Sequence, residues 1–446
     1  MFNIDGARLW REAACSVGAM PRKPPPTKLQ LTSAQLGLEK EPSFTHDLDG
    51  SFVSEDGLVI SSRGIVQTPS SCSSTSSSTP GSRSFATTGI TVSGLDELEP
   101  LHQLGAGVSG QVRLARHRPT GRLIALKIIN VVAEHEKRKQ IINELSVLCK
   151  LQHPQLVPLY DAFYAEGYVY MALRYMDGGS LERLLASYQA LAGASGIGAP
   201  GLPEHVLRGV VTQVTCGLQH LHACRLVHRD LKPANILIDS TGAAAVADFG
   251  MSKELEESRA MARSFVGTAA YMAPERIQGA DHSAPSDVWS LGIICVECAQ
   301  GFHPYRHVIS HWDLVVEISN SAATPRLPPS SFSASLCDFS AACAAPAVAQ
   351  RATCDQLLAH PFILGGGDGG GGGMEPQHAS FLAAAAGMEL GQWIASTFGM
   401  HVGMQRPPPA TSEEAARQTQ RELEELRRLE AETLWLRGAG TARDEK

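Results

Sequence analysis

The chain has 446 residues, of which 43% are hydrophobic and 19% are charged, and its formal net charge is −7. This composition excludes a wholly disordered chain, and the length allows two or three domains with at least one sizeable core. The negative charge argues against nucleic acid or an anionic membrane surface as a partner, and no apolar run of about 18 residues suggests a membrane span.

The amino-terminal region, residues 1–95, is rich in Ser, Thr, Pro and Gly. Its Ser/Thr run from Pro69 to Ser82 cannot bury enough apolar surface to fold, so we predict a disordered regulatory region over 1–95. The first residues are charged and lack the apolar core of a secretory signal peptide. We therefore expect an intracellular protein with reduced cysteines, located in the cytoplasm with the nucleus as a second location.

A folded catalytic region is predicted from residue 98 to residue 364, where apolar periodicity is dense. Its front alternates like strands, whereas a helical pattern covers 136–151 and most of the chain beyond 181. This order predicts an α+β fold of two lobes. The small-residue segment 190–201 is predicted to be a loop between two helices of the back lobe. The strand-like segments are 111–115, 123–128 and 168–173.

A glycine-rich run opens this region, with Gly105, Gly107 and Gly110 followed by Val112. Glycine lets a backbone approach phosphates closely because no Cβ stands in the way. The same spacing occurs in dinucleotide-binding folds, where the third glycine opens a helix. Here the following segment alternates like a strand, which favours a phosphate-binding turn between two strands.

Lys127 ends an apolar strand about 20 residues after the glycine run. A lysine in that position usually extends into water. A functional lysine would instead reach the α- and β-phosphates of a nucleotide and would need a carboxylate to orient it. Glu144, on the helix predicted to follow, is the candidate.

The run His228–Asn235 carries the strongest chemical signal. Asp230 can accept a hydroxyl proton from a protein substrate, and Lys232 can stabilise the migrating phosphoryl charge. Asn235 and Asp248, the latter in an Asp-Phe-Gly sequence, supply oxygen ligands that suit Mg²⁺. A single aspartate is explained by a role as a helix cap or turn residue. That role does not explain Asp230, Lys232, Asn235 and Asp248 occurring together in this order.

Residues further along have structural interpretations. Glu275 would be buried and would need a partner, for which Arg351 is the candidate, and Asp287 is expected to anchor the catalytic-loop backbone. The pair Cys295 and Cys298 has no second pair at zinc-ligand spacing. We interpret it as two free cysteines on a buried helix rather than as a metal site.

The carboxy-terminal region begins with a glycine linker over 365–373, followed by an extension over 374–446. Residues 374–404 are alanine-rich and receive no assignment. A helix is predicted at about 412–437, and its leucine seam is too short for a coiled coil, so a solvated single helix is favoured.

The set of motifs and their order resemble the eukaryotic protein kinase family over residues 98–364. The resemblance implies a bilobal fold with ATP and Mg²⁺ between a β-rich N-lobe and a helical C-lobe. It also implies a hinge where adenine contacts the Arg174 carbonyl and the Met176 amide, although Arg174 replaces the family's usual glutamate. The ATP-binding residues implied are Leu104, Gly105, Ala106, Gly107, Val108, Ser109, Gly110, Gln111, Val112, Ala125, Lys127, Glu144, Arg174, Met176 and Leu237.

Two segments, 175–181 and 264–268, resemble the MAP kinase kinases within that family. Ser258 and Ser264 are separated by five residues, which resembles the plant and green-algal type. The resemblance implies activation by phosphorylation of both serines. A phosphate on either serine could pair with Arg229, which directly precedes Asp230, and so order the loop that carries the two serines.

Near the amino terminus, Arg22, Lys23, Leu29 and Leu31 resemble a MAP kinase docking peptide, in which basic groups are followed by Leu-x-Leu. A basic disordered tail remains the alternative. The resemblance implies a monomeric dual-specificity kinase that acts on Thr and Tyr of a MAP kinase and is activated by a MAP kinase kinase kinase. The alternatives are another Ser/Thr kinase of the same group and a pseudokinase scaffold, although no catalytic Lys, Asp or Asn is lost.

Overall fold

The computed structural model describes residues 45–46, 52–53, 58–61, 64–67, 90, 92–107, 110–130, 145, 151–165, 167–194, 200–248, 269–308, 310–320, 324–365 and 376–398. Several predicted features lie outside these residues: the docking peptide at 22–31, Val108, Ser109, most of the helix at 136–151 including Glu144, Ser258, Ser264, the linker from 366 to 373 and the helix at 412–437.

Four short strands lie within the region predicted to be disordered, and they form an antiparallel sheet in chain order. Ile60 and Ile65 of this sheet are buried in the same core as residues of the kinase-like region. The backbone N–H of Ile65 also donates to Oδ1 of Asp161 at 3.0 Å. Within the region predicted to be disordered, these residues therefore form strands, because packing against a larger domain stabilises short strands that could not fold alone. The strands are β1 Thr45–His46, β2 Phe52–Val53, β3 Leu58–Ser61 and β4 Gly64–Gln67.

A five-stranded antiparallel sheet with the order β5-β6-β7-β9-β8 forms the N-lobe. Its strands alternate, so that apolar side chains such as Ile124 and Leu126 face one core while Met171 and Val169 face another. Each large apolar side chain buried in this way contributes about 1.5–3 kcal/mol to the stability of the lobe. The strands are β5 Leu98–Gly107, β6 Gly110–His117, β7 Leu123–Asn130, β8 Leu159–Ala165 and β9 Tyr168–Arg174.

Helices and a small antiparallel sheet form the C-lobe, so the two-lobed α+β prediction is confirmed. The small sheet consists of β10 Gly179–Ser180, β11 Ile236–Ile238 and β12 Ala244–Val246. The helices are α1 Leu181–Ala194, α2 Glu204–Ala223, α3 Pro274–Ile277, α4 Ala284–Gln300, α5 His311–Ser319, α6 Ala334–Cys343, α7 Cys354–Leu358, α8 Pro361–Leu364 and α9 Pro376–Phe398.

Helix α4 crosses the centre of the C-lobe, and its ends follow from its sequence. Ser283 and Ser286 form a capping box at its start, and Gly301 ends it in the left-handed conformation at φ +83°. Cys295 and Cys298 are fully buried on this helix and carry free thiols, as predicted. In the described part of the chain, no group of three metal-ligating side chains is assembled.

Two helices differ from the sequence prediction. Helix α1 continues through Ala194, so the predicted loop at 190–201 begins later than expected, because its small residues do not interrupt a helix that is packed at its other end. Helix α9 lies in the unassigned segment 374–404 and packs along α2, burying Ala379, Ala383, Leu390 and Ile394. None of the helices described is both long enough and apolar enough to cross a membrane.

Candidate active site

A cavity of about 310 Å³ lies between the N-lobe sheet and the small sheet of the C-lobe. Its walls are mostly apolar, which suits a flat heteroaromatic ring. Lys127 and Asp248 mark one polar end, and Arg174, Asp177 and Arg183 are further charged lining residues. Ten of the predicted site residues line it, whereas Gly110 and Gln111 do not. The ten are Leu104, Gly105, Val112, Ala125, Lys127, Arg174, Met176, Asn235, Leu237 and Asp248.

The glycine run spans the end of β5 and the start of β6, with Gly107 paired opposite Gly110. Gly110 has φ +128°, and a Cβ there would lie 2.3 Å from the carbonyl oxygen of Ile128. Gly105 has no heavy atom within 4 Å of a built Cβ. Gly110 is therefore required by the fold, whereas Gly105 keeps the cavity open. A strand follows the run, so the helix typical of a dinucleotide-binding loop is excluded.

Lys127 and Asp248 form an ion pair at the polar end of the cavity, with Lys127 Nζ 2.6 Å from Asp248 Oδ1. Lys127 is 3% exposed and Asp248 is 43% exposed. Burial raises the pKa of Asp248, but nearby positive charges, that of the adjacent Lys127 ammonium first, lower it by a larger amount. The pKa of Asp248 therefore lies below its usual range. Asp248 also has φ +58°, a conformation that is uncommon outside glycine and that recurs at functional sites.

The catalytic loop brings three predicted side chains together. Lys232 Nζ donates to both carboxylate oxygens of Asp230, at 3.1 and 2.8 Å. Asn235 Nδ2 donates to Oδ2 of Asp230 at 3.0 Å and to its backbone oxygen at 2.8 Å. These bonds fix the direction of the Asp230 carboxylate, as is required of an acceptor of a hydroxyl proton.

Asp287 of α4 anchors the backbone at the start of the catalytic loop, residues 228–235. Its side chain is 2% exposed, and it accepts the backbone N–H groups of His228 at 2.8 Å and Arg229 at 3.0 Å. His222 donates to the same carboxylate through Nε2 at 2.9 Å. Three donors satisfy the buried charge, and they hold Arg229 at φ +75°, a strained conformation.

His228 has a role that the sequence analysis missed. Its Nε2–H donates to the backbone oxygen of Ala247 at 2.9 Å, and its Nδ1 accepts the backbone N–H of Asp230 at 3.3 Å. The imidazole therefore joins the catalytic loop to the residue that precedes Asp248. The position of His228 in the motif that carries Asp230 is the sequence signal that could have indicated this role.

Glu275 and Arg351 form a bidentate ion pair, with distances of 2.7 Å from Nη1 to Oε1 and 3.0 Å from Nη2 to Oε2. Ser286 adds a hydroxyl bond to Glu275 at 3.0 Å. Burial raises the pKa of Glu275, but its hydrogen bonds and the charge of Arg351 together lower it by more. The pKa of Glu275 therefore lies below its usual value. The pair ties α3 to the segment before α7, at a distance from the cavity.

The predicted hinge follows β9, and Arg174 and Met176 both line the cavity. Sequence reasoning did not list several further lining residues. The alternation of β9 could have indicated Met171 and Leu173, and five of the others lie in the segments 175–181 and 228–235, whose motifs were recognised without these roles. The residues missed are Val157, Met171, Leu173, Tyr175, Asp177, Gly179, Ser180, Arg183, Ala234 and Ala247.

The cavity and its polar end fit a nucleoside triphosphate with a divalent metal. The apolar walls suit the base, and the buried Lys127 ammonium suits phosphate oxygens. Asn235 donates through its nitrogen, so its amide oxygen carries the lone pairs that a hard cation accepts, as do the Asp248 carboxylate oxygens.

Comparison with known proteins gives a consistent result. The family model described as "Protein kinase domain" matches residues 98–363. The chain is similar to mitogen-activated protein kinase kinase 3 of Arabidopsis thaliana, 41% identical over 60% of this chain and 50% of the relative. It is 37% identical to mitogen-activated protein kinase kinase SIPKK of Nicotiana tabacum, over 60% of this chain and 74% of the relative. The chain thus spans half the length of the first relative and about three quarters of the second.

A third relative comes from an organism that is more distant from the other two. Dual specificity mitogen-activated protein kinase kinase 1 of Dictyostelium discoideum is 42% identical over 49% of this chain and 31% of the relative. All three matches share the same kind of name, although the organisms range from flowering plants to an amoeba.

Proposed function

This chain belongs to the protein kinase family and, within it, to the MAP kinase kinases, and on that premise we propose that it phosphorylates Thr and Tyr in the activation loop of a MAP kinase. The observation that carries the proposal is the 37–42% identity to relatives of that name across the catalytic region. The words "dual specificity" in the name of the Dictyostelium relative support action on both hydroxyl types.

We assign the chemical roles from the geometry of the site. Asp230 accepts the proton of the substrate hydroxyl, and Lys232, which holds the Asp230 carboxylate, also balances charge on the transferred phosphoryl group. Lys127 orients the nucleotide phosphates. The glycines at the end of β5 and the start of β6 would let the backbone approach these phosphates closely, because they lack Cβ atoms.

Asn235 and Asp248 would hold the divalent metal, for which we propose Mg²⁺. When bound, the metal neutralises charge on the phosphates. The Asp248 side chain is 43% exposed, so it would be accessible to the metal, and the contact that Lys127 makes with it is to its Oδ1 atom.

We propose that phosphorylation of Ser258 and Ser264 activates the enzyme. Arg229 supports this, because its Nε atom is buried and has no hydrogen-bond partner among the residues that the structure describes. A phosphate on Ser258 or Ser264 would supply Arg229 with a partner of opposite charge. An upstream MAP kinase kinase kinase would then be the activating partner.

We further propose that the basic peptide at 22–31 docks the MAP kinase substrate, and that the enzyme acts as a monomer in the cytoplasm and also in the nucleus. A kinase that acts elsewhere in the cascade would not need this peptide. Deletion of residues 20–31 should therefore reduce phosphorylation of a MAP kinase, and unchanged phosphorylation would favour that alternative.

A turnover assay tests the proposal. Protein that carries Ser258→Asp and Ser264→Asp should phosphorylate a catalytically inactive MAP kinase on Thr and Tyr, as mapped by mass spectrometry. The same protein with Asp230→Ala is the matched control and should lose this activity by about 10³-fold or more, because the proton acceptor is gone. Equal phosphorylation by both proteins would favour a pseudokinase scaffold with a contaminating kinase.

A further inference from the structure

The side chain of Arg174 joins the two lobes at the edge of the nucleotide cavity. Arg174 is the last residue of β9, where the N-lobe sheet passes into the hinge. Its Nη2 atom donates to Oδ2 of Asp239 at 2.6 Å. Asp239 follows β11 in the C-lobe and is 8% exposed, whereas Arg174 is 35% exposed.

The two carboxylate oxygens of Asp239 have separate partners. Oδ1 accepts the backbone N–H of Thr241 at 2.9 Å, its hydroxyl at 2.6 Å, and the backbone N–H of Ala243 at 3.0 Å. Oδ2 accepts from Arg174. Oδ1 therefore binds the turn between β11 and β12, whereas Oδ2 binds Arg174.

Helix α9 packs directly against the backbone of this turn. Gly242 has φ +89°, and a Cβ there would lie 2.1 Å from the carbonyl oxygen of Gly387 and 2.2 Å from the nitrogen of Gly391. A Cβ on Gly391 would lie 2.3 Å from the carbonyl oxygen of Thr241. Gln213 of α2 also donates to the carbonyl oxygen of Gly242 at 3.0 Å. The turn that carries Asp239 is thus held between α2 and α9.

We propose that Arg174 is a positioning residue for the nucleotide, and that its ion pair with Asp239, on a turn seated on helix α9, sets the affinity of the enzyme for ATP. The backbone of Arg174 and Met176 forms the hinge edge that faces the base. Fixing this edge before ATP binds removes an ordering cost from the binding step. The inference depends on ATP binding by the kinase domain and not on the identity of the protein substrate.

Two substitutions separate the pair from the turn. Asp239→Asn keeps an oxygen for the Thr241 and Ala243 N–H groups but places an NH₂ group opposite Arg174. Arg174→Met keeps the length of the side chain and removes its charge. Isothermal titration of the full chain with ATP and Mg²⁺ should show a dissociation constant about three- to tenfold higher for each variant, and no further increase for the double variant.

The melting temperature without nucleotide serves as the second measurement. A purely structural pair would lower the melting temperature of both variants and leave the dissociation constant for ATP unchanged, which would overturn the proposal. Increases in the dissociation constant that multiply in the double variant would also overturn it, because the two residues would then act separately.

The contribution of α9 has a matched pair of tests. Gly391→Ala places a Cβ against Thr241, whereas a Cβ on Gly387 meets Gln213 Oε1 and the Gly242 oxygen at 3.5 Å, an ordinary contact. Both changes are glycine to alanine on one helix. Gly391→Ala should raise the dissociation constant for ATP about threefold and Gly387→Ala should not. Equal constants for the two variants would exclude α9 from the proposal, and the Arg174 and Asp239 variants decide the remainder even if Gly391→Ala does not fold.

Discussion

Asp287 accepts the backbone N–H of Arg229 at 3.0 Å, across 58 residues of chain. Arg229 is held by this bond at φ +75°, directly before the proposed proton acceptor. The direction of the Asp230 side chain therefore depends on a carboxylate that never contacts the substrate.

Asp287→Asn should reduce turnover more than it reduces stability. The amide keeps one acceptor oxygen and replaces the other by a donor, so one of the three donors around the side chain becomes unsatisfied, at a cost of about 1–3 kcal/mol. We expect kcat to fall about tenfold or more while the KM for ATP stays within about twofold. Asp281→Asn is the control because Asp281 is exposed. Equal kcat values for the two variants would contradict the anchoring role.

Gly105→Ala and Gly110→Ala should have opposite profiles. Alanine at Gly110 combines a positive φ with a contact to the Ile128 oxygen, so we expect a fall of several degrees in melting temperature. Alanine at Gly105 meets no atom of the protein but faces the cavity, so we expect weaker ATP binding at an unchanged melting temperature. Differential scanning fluorimetry and ATP titration of both variants check this, and identical profiles would contradict it.

Glu275→Gln should destabilise the fold by about 3 kcal/mol at pH 7, because Arg351 keeps its charge in a buried site with a weaker partner. The pKa of Glu275 in the folded state lies below its value of 4.5 in the unfolded chain. Its stabilising effect is therefore complete above that value and is lost as pH falls through the folded pKa.

Chemical denaturation from pH 7 to pH 3 measures this effect. The difference in unfolding free energy between the wild type and Glu275→Gln should narrow below about pH 4.5. A difference that stays constant over this range would show that the carboxylate charge is not what stabilises the pair.

Asp161→Asn should remove a pH dependence of the opposite sign. Burial raises the pKa of Asp161 from 3.8 to about 6, although the N–H groups of Ile65 and Ala162 lower it. The folded state therefore binds this proton more tightly, and stability falls as pH rises through about 6, by about 1–3 kcal/mol. The melting temperature of the wild type should change more between pH 5 and pH 8 than the melting temperature of Asp161→Asn. Equal changes in the two proteins would contradict the assignment of this pH dependence to Asp161.

The sequence predicted the catalytic cluster because its chemistry is local. Asp230, Lys232 and Asn235 lie within one short loop, so their spacing alone brings them together. The long-range contact between Glu275 and Arg351 was also predictable, since a buried charge requires a partner.

The remaining features depend on packing between segments that carry no motif. Asp239 follows an ordinary strand, so nothing in the sequence connects it to Arg174. Helix α9 buries mainly alanine and glycine against α2, which gives little contrast between its faces. The strands before residue 68 are stable only because the N-lobe provides a surface for Ile60 and Ile65.

The buried cysteines of the C-lobe have a practical consequence for studying this enzyme. Burial raises the pKa of Cys216 to about 12 and raises that of Cys298 and Cys343 far above the ordinary value, so these thiols are unreactive while the lobe is folded. Their labelling by a thiol reagent would therefore follow the opening of the lobe rather than surface chemistry. Labelling of these three thiols thus reports the unfolding rate of the lobe without an engineered cysteine, and bound nucleotide should slow it.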